Sequence, residues 1–260
     1  MERRRVDTLL AERGLSPSRT SAAASVRAGR VRVGTGGARA TKPGQMIASD
    51  EALAVEEPPR YVSRGGIKLE NALAALGVDP GGRDCLDVGA STGGFTDCLL
   101  AHGATRVIAL DVAHGQLDWN LRNDERVHVI ERANARAMTP DDLPYTPSLA
   151  TVDVSFIGLA KVLPAVKECL APGGELLALV KPQFELGRER VGKGVVRDPA
   201  DRREAVLGVA RAAQDMGLAV RGIASSGLPG PKGNLETFVW AADGGEAVPD
   251  LEAAIEEAGA

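Results

Sequence analysis

The segment Asp87-Val88-Gly89-Ala90-Ser91-Thr92-Gly93-Gly94-Phe95 constrains this 260-residue chain more than any other. It follows a short apolar run, Cys85 to Val88, and precedes a helical pattern from Phe95 to Ala101. Glycines at such a strand-to-helix turn let the backbone bend tightly and approach a ligand without side-chain obstruction. From Asp84 onward, short apolar strands alternate with helical segments. Strands are expected at 106–111, 127–131, 149–154, 175–180, 220–225 and 236–241, with helices at 160–170 and 199–216. That alternation predicts an α/β fold, a Rossmann-like, mostly parallel seven-stranded sheet covered on both faces. Pro164 should make the first turn of the 160–170 helix irregular.

In an open parallel sheet, ligands bind beyond the carboxyl ends of the strands. The spacing D-x-G-x-x-x-G-G is neither the dinucleotide pattern nor a P-loop, because no Lys-Ser/Thr follows the glycines. Asp111 ends the second strand 24 residues after Asp87, where a carboxylate accepts both hydroxyls of a ribose. Val112 follows it, and Asn134-Ala135 after the third strand could meet a base edge. The expected cofactor-binding set is Asp87, Gly89, Ala90, Ser91, Thr92, Gly93, Gly94, Phe95, Asp111, Val112, Asn134, Ala135, Asp153 and Phe156.

Four further residues are expected at the same sheet edge. Asp153 ends the fourth strand within Asp153-Val154-Ser155-Phe156, and Lys181 follows the fifth. Lys68 sits on the helix before the first strand, and Glu236 closes Pro231-Lys232-Gly233-Asn234-Leu235-Glu236. A hydroxyl nucleophile must lose its proton as it attacks, and a lysine accepts it only where neighbouring charge and desolvation favour the neutral amine. Lys181 is the candidate base. Lys68 would repel its charge and orient the substrate, while Asp153 and Glu236 orient the lysines. Each residue taken alone is also compatible with an ordinary surface role.

Upstream the composition changes. Residues 1–44 hold ten Lys/Arg against three Asp/Glu, a net +7, although the whole chain is −4. A basic head on an acidic body is expected of an RNA-binding module joined to an enzyme. The head reads as a helix over 3–13, a second helix opened by Ser16-Pro17-Ser18, a strand Val31–Val33, and a last strand from Ile47 to Val55. Arg3, Arg5, Arg19, Arg27, Arg30 and Lys42 are the expected phosphate contacts, with Arg64 beyond the linker. The expected organisation is a head at 1–57, a linker at 58–63 and a larger domain at 64–260. A helix face runs through Ile67, Leu69, Leu73 and Leu76, and Arg64-Gly65-Gly66 reads as flexible backbone before it.

Cys85, Cys98 and Cys169 are too few and too scattered for a disulfide framework or zinc site and read as packing, so no metal is expected. No apolar run approaches the roughly 18 to 20 residues of a membrane helix, and no apolar signal core follows Met1–Arg5. A cytoplasmic, soluble protein is expected, without a membrane or an implied protein partner.

The head resembles the αL RNA-binding module of a small-subunit ribosomal protein, pseudouridine synthases and some tRNA synthetases, through R-V-D-x-x-L, S-R-T-x-A, G-R-V-x-V and K-P-G. Together with S-R-G-G-x-K-L, D-V-G-A-S-T-G-G-F-T, D-V-S-F, K-P-Q-F-E, G-V-V-R-D and G-P-K-G-N-x-E, nearly the whole chain resembles the TlyA, or hemolysin A, family of rRNA 2′-O-methyltransferases. The resemblance implies S-adenosylmethionine as cofactor, cytidine ribose of ribosomal RNA within ribosomal subunits as substrate, and sensitivity of those ribosomes to capreomycin. It also implies an RrmJ/FtsJ-like catalytic domain whose Lys-Asp-Lys-Glu tetrad falls on Lys68, Asp153, Lys181 and Glu236. Competing expectations are an RNA-binding assembly factor with an inactive fold, a base methyltransferase and a membrane-active hemolysin.

Overall fold

The computed structural model describes residues 2–192 and 194–260. It divides into two compact units, the first ending at Pro59 and the second running from Arg60 to Ala260.

The N-terminal unit contains β1 (Arg3–Arg5), α1 (Val6–Glu12), α2 (Arg19–Arg27), β2 (Val31–Val33), β3 (Ala38–Arg39), β4 (Met46–Ala48) and β5 (Leu53–Val55). Ser18 caps α2, accepting from Ser21 N at 3.1 Å, as small hydroxyl residues do at helix starts. Val6, Leu9 and Leu10 face Ala22, Val26, Val31 and Ile47 in one small core. Each fully buried aliphatic side chain there contributes roughly 1.5–3 kcal/mol.

Two expectations are corrected in this unit. The first helix does not begin at residue 3: Arg3–Arg5 is extended and pairs antiparallel with Met46–Ala48. Its backbone groups are satisfied across the strand, and Arg3 Nη2 donates to Met46 O at 2.7 Å. The single strand from 47 to 55 is two strands, because Glu51 N donates back to Ala48 O at 3.1 Å and turns the chain. Its halves join different sheets, β1-β4 and β3-β2-β5.

The second unit contains α3 (Arg64–Leu76), β6 (Asp84–Val88), α4 (Gly94–Ala101), β7 (Arg106–Asp111), α5 (Trp119–Arg122), β8 (Val127–Glu131), β9 (Leu149–Val152), α6 (Leu163–Glu168), β10 (Glu175–Val180), α7 (Pro182–Glu185), α8 (Pro199–Asp215), β11 (Ala219–Ser225), β12 (Thr237–Ala242) and α9 (Leu251–Glu257). Seven strands form one sheet in the order β11-β12-β10-β9-β6-β7-β8. The five strands from β10 to β8 are parallel, whereas β12 runs antiparallel to both β10 and β11. The period-two alternation places Leu176, Ala178 and Val180 of β10 against α6 and α8, and Leu177 and Leu179 against α3 and α4. The three cysteines are buried and unbridged.

Strand order reverses between β6 and its neighbours β7 and β9, which opens a crevice at their carboxyl ends. A 3-10 turn at Leu159–Lys161 precedes α6, the irregularity expected from Pro164. Gly65 and Gly66 are not a flexible lead-in but lie inside α3. A Cβ on Gly66 would lie 2.3 Å from the Tyr61 ring, so glycine serves close packing there. Among the described residues, no helix is long and apolar enough to cross a membrane.

Candidate active site

The glycine loop leaves β6 and turns at Gly89, whose φ is +87°. A Cβ at Gly89 would stand 2.5 Å from the carbonyl oxygen of Asp153, so only glycine lets these two strand ends meet. Asp87 lies behind the loop. It is fully buried and accepts from Thr96 N at 2.9 Å, Thr96 Oγ1 at 2.7 Å and Thr151 Oγ1 at 3.2 Å. Burial pushes its carboxyl up to about 7, and the charge of Asp153 adds to the rise. Asp87 thus ties β6 to α4 and β9 and lines neither adjoining cleft. Gly93 packs beneath Leu117 and Leu121.

Asp111 holds the far side of the loop. Its Oδ2 accepts from Ser91 N at 2.8 Å and its Oδ1 from Ala113 N at 2.7 Å. A cleft of about 450 Å³ opens here, lined by Gly89, Ser91, Asp111, Val112, Asn134, Ala135, Asp153 and Phe156. Val112 is 74% and Phe156 91% exposed, so two apolar side chains stand open to solvent beside this cleft. Ala90, Thr92, Gly94 and Phe95 line the neighbouring cavity instead. Glu131 fastens the segment after Asp111, accepting from Gly115 N at 2.7 Å and from Arg122. These bonds, the Arg122 guanidinium first, hold its carboxyl down at about 2.

The neighbouring cavity measures about 400 Å³ and brings together Lys68, Asp153, Lys181 and Glu236. Lys68 Nζ stands 2.5 Å from Glu236 Oε2, with both side chains nearly excluded from solvent. Lys181 Nζ stands 2.5 Å from Asp153 Oδ1, an ion pair off hydrogen-bond alignment, and donates to Ser155 Oγ at 2.9 Å. Each lysine therefore has its own carboxylate partner. Arg64 borders this cavity and donates to Pro229 O at 3.0 Å. Gly89, Ser91 and Asp153 belong to both the cleft and the cavity, which are continuous through them.

Sequence reasoning missed several supports of this site. Ser155 lay inside a motif already noted, but nothing in the motif marks its contact with Lys181. Asn234 is buried, accepting from Val196 N at 2.9 Å and donating to Gly194 O at 2.9 Å. It joins the G-V-V-R-D and G-P-K-G-N-x-E segments, two motifs that are distant in sequence.

The basic residues of the N-terminal unit are not alike. Arg5 donates to both carboxylate oxygens of Asp7, at 2.9 and 2.7 Å, and Arg19 Nε to Asp7 at 3.3 Å. These contacts, Arg5 first, hold the buried Asp7 carboxyl down at about 2. Arg30 donates to Ser25 Oγ at 3.1 Å, whereas Arg27 and Lys42 are exposed.

Fold and site define an FtsJ-like methyltransferase, the family whose model matches residues 61–243, carrying an S4 domain matched over residues 4–52. The chain belongs to the TlyA (hemolysin A) family within that class. It is 49% identical over 241 residues to the Mycobacterium tuberculosis protein named 16S/23S rRNA (cytidine-2′-O)-methyltransferase TlyA, covering 92% of this chain and 89% of that one. It is 44% identical to YqxC of Bacillus subtilis, described as a candidate rRNA methyltransferase, over 96% of this chain and 92% of that one. A solved Streptococcus thermophilus structure, described as a candidate hemolysin, aligns with a TM-score of 0.74 at 41% identity, covering 100% of this chain and 96% of that chain.

Proposed function

We propose that this protein transfers a methyl group from S-adenosylmethionine to the ribose 2′-hydroxyl of cytidine in ribosomal RNA, acting on ribosomal subunits in the cytoplasm. The observation that carries this reading is the pair of lysine–carboxylate contacts, Lys68–Glu236 and Lys181–Asp153, in a cavity continuous with the glycine-loop cleft.

The donor set of the cleft suits the cofactor. Each Asp111 oxygen already accepts one backbone N–H and keeps a lone pair for a ribose hydroxyl. Val112 and Phe156 offer apolar surface to a base, Asn134 a polar edge, and the volume lies within the usual range of small-molecule sites. When bound, the cofactor supplies an electrophilic methyl group on a sulfonium.

Everything else falls to the chain. Methyl transfer depends on in-line positioning more than on covalent help from the protein. Lys181, in its neutral form, takes the proton of the attacking hydroxyl, with Asp153 and Ser155 fixing its Nζ. Lys68, held by Glu236, orients the ribose. The basic N-terminal unit binds RNA by neutralising phosphates, a contribution that favours no particular sequence.

Transfer of labelled methyl to ribosomal subunits lacking the modification, followed by nucleoside mass spectrometry, tests the reading. The expected product is 2′-O-methylcytidine. A methylated base, or no transfer to either subunit with cofactor bound, overturns it.

A further inference from the structure

Glu185 ends α7, four residues beyond Lys181, and belongs to neither lysine–carboxylate pair. Its two carboxylate oxygens stand 3.1 and 3.2 Å from the backbone nitrogen of Leu159. Leu159 opens a 3-10 turn, so its N–H belongs to the group at a helical start that lacks an intrahelical acceptor. Glu185 supplies one. Gly158 leaves room for the approach, since a Cβ there would lie 3.2 Å from Glu185 Oε2 and crowd it by a few tenths of an ångström.

This bond is the last of three that fasten the segment after β9 to the segment after β10. Lys181 engages Asp153 and Ser155. The Phe156 and Phe184 rings lie 5.1 Å apart between centroids. Glu185 then takes Leu159 N–H. Between the outer two, Phe156 adopts a φ of +66°, a conformation L side chains rarely take and one that persists only where the surroundings over-determine it. The ring contact alone leaves the downstream side of Phe156 free to relax; the bond to Leu159 closes it.

We propose that Glu185 is a positioning residue for methyl transfer: by accepting the Leu159 N–H it holds residues 153–159 in the register at which Asp153 and Ser155 grip Lys181. This rests on Lys181 being the base. Burial pushes the Glu185 carboxyl up to about 7, so near neutrality a protonated form that keeps a carbonyl acceptor is well populated. A glutamine reproduces that acceptor; an alanine does not.

The test uses the full-length chain with S-adenosylmethionine and unmodified subunits, comparing wild type, Glu185→Ala and Glu185→Gln. Glu185→Ala is expected to lower kcat by tenfold or more, as small misplacements of reacting groups do, and to raise KM for the cofactor as well, since residues 153–157 also line the cofactor cleft. Glu185→Gln is expected to stay within about threefold of wild type in kcat. The Leu159 amide proton is expected to move upfield in Glu185→Ala and hold its shift in Glu185→Gln. Wild-type kcat in Glu185→Ala, or equal impairment of both variants, overturns the proposal. A wild-type chain that transfers no methyl removes the parent function; the clamp is then read from the Leu159 resonance alone, and an unmoved signal in Glu185→Ala overturns it.

Discussion

Lys68 and Glu236 are 168 residues apart in the chain, and their charged atoms are 2.5 Å apart in the fold. The contact joins α3 to the start of β12 and closes one wall of the cavity. Removing one partner leaves the other as a buried, unpaired charge, which typically costs 3–5 kcal/mol, whereas removing both charges together costs less. Lys68→Met is therefore expected to lower stability by about 3 kcal/mol. The double variant Lys68→Met/Glu236→Gln should recover part of that loss. Thermal unfolding of wild type, Lys68→Met, Glu236→Gln and the double variant checks the order, and an additive double variant contradicts the pairing.

Gly66→Ala inverts the usual sign for a helix interior. Replacing glycine by alanine inside a helix ordinarily stabilises by about 1 kcal/mol. In α3 the new methyl would lie 2.3 Å from the Tyr61 ring, which is itself buried, so the substitution is expected to destabilise. Denaturant midpoints of Gly66→Ala and wild type decide the sign.

The architecture was legible where burial writes a pattern. β7 and β10 fall at 106–111 and 175–180 as expected, because strands covered on both faces are continuous apolar runs bounded by turn residues, and the half-buried edge strand β8 falls at 127–131. The head was harder. Arg3–Arg5 has the periodicity of a helix flank, yet its strand geometry depends on Met46–Ala48, more than 40 residues away. Within the site, motif positions named the tetrad but not its pairing. Asp87 resembles a ligand-facing residue in sequence, and only the register of β6 shows that it points into the protein. Glu185 stands in a motif noted from the start, but its acceptor role depends on Leu159 N, which no side-chain pattern encodes.

Asp7 gives the N-terminal unit a defined acid sensitivity. Its carboxyl sits at about 2, below the ordinary aspartate value of 3.8, chiefly through the Arg5 hydrogen bonds. A depressed carboxyl contributes stability that is present above pH 3.8 and lost as pH falls through about 2. The contribution is about 2 kcal/mol at neutral pH. Methyl resonances of Leu10 and Val26 followed through acid titration report it. Asp7→Asn should be less stable at pH 7 and flatter across this window.

Arg27 and Lys42 are exposed, whereas Arg5 and Arg19 are held by Asp7. Arg27→Ala/Lys42→Ala is expected to weaken RNA binding across sequences and to reduce the salt slope by about 2, with little loss of stability. Arg5→Ala should instead lower stability, since it strips a buried carboxylate of its main partner. Binding isotherms at several salt concentrations, set beside thermal melts, separate the two roles.

The most direct measurement is methyl transfer by wild type and Lys181→Ala to unmodified ribosomal subunits, with cofactor affinity measured in parallel by calorimetry. The account predicts 2′-O-methylcytidine from wild type, none from Lys181→Ala, and cofactor affinity within about threefold between the two. Undiminished transfer by Lys181→Ala would contradict it.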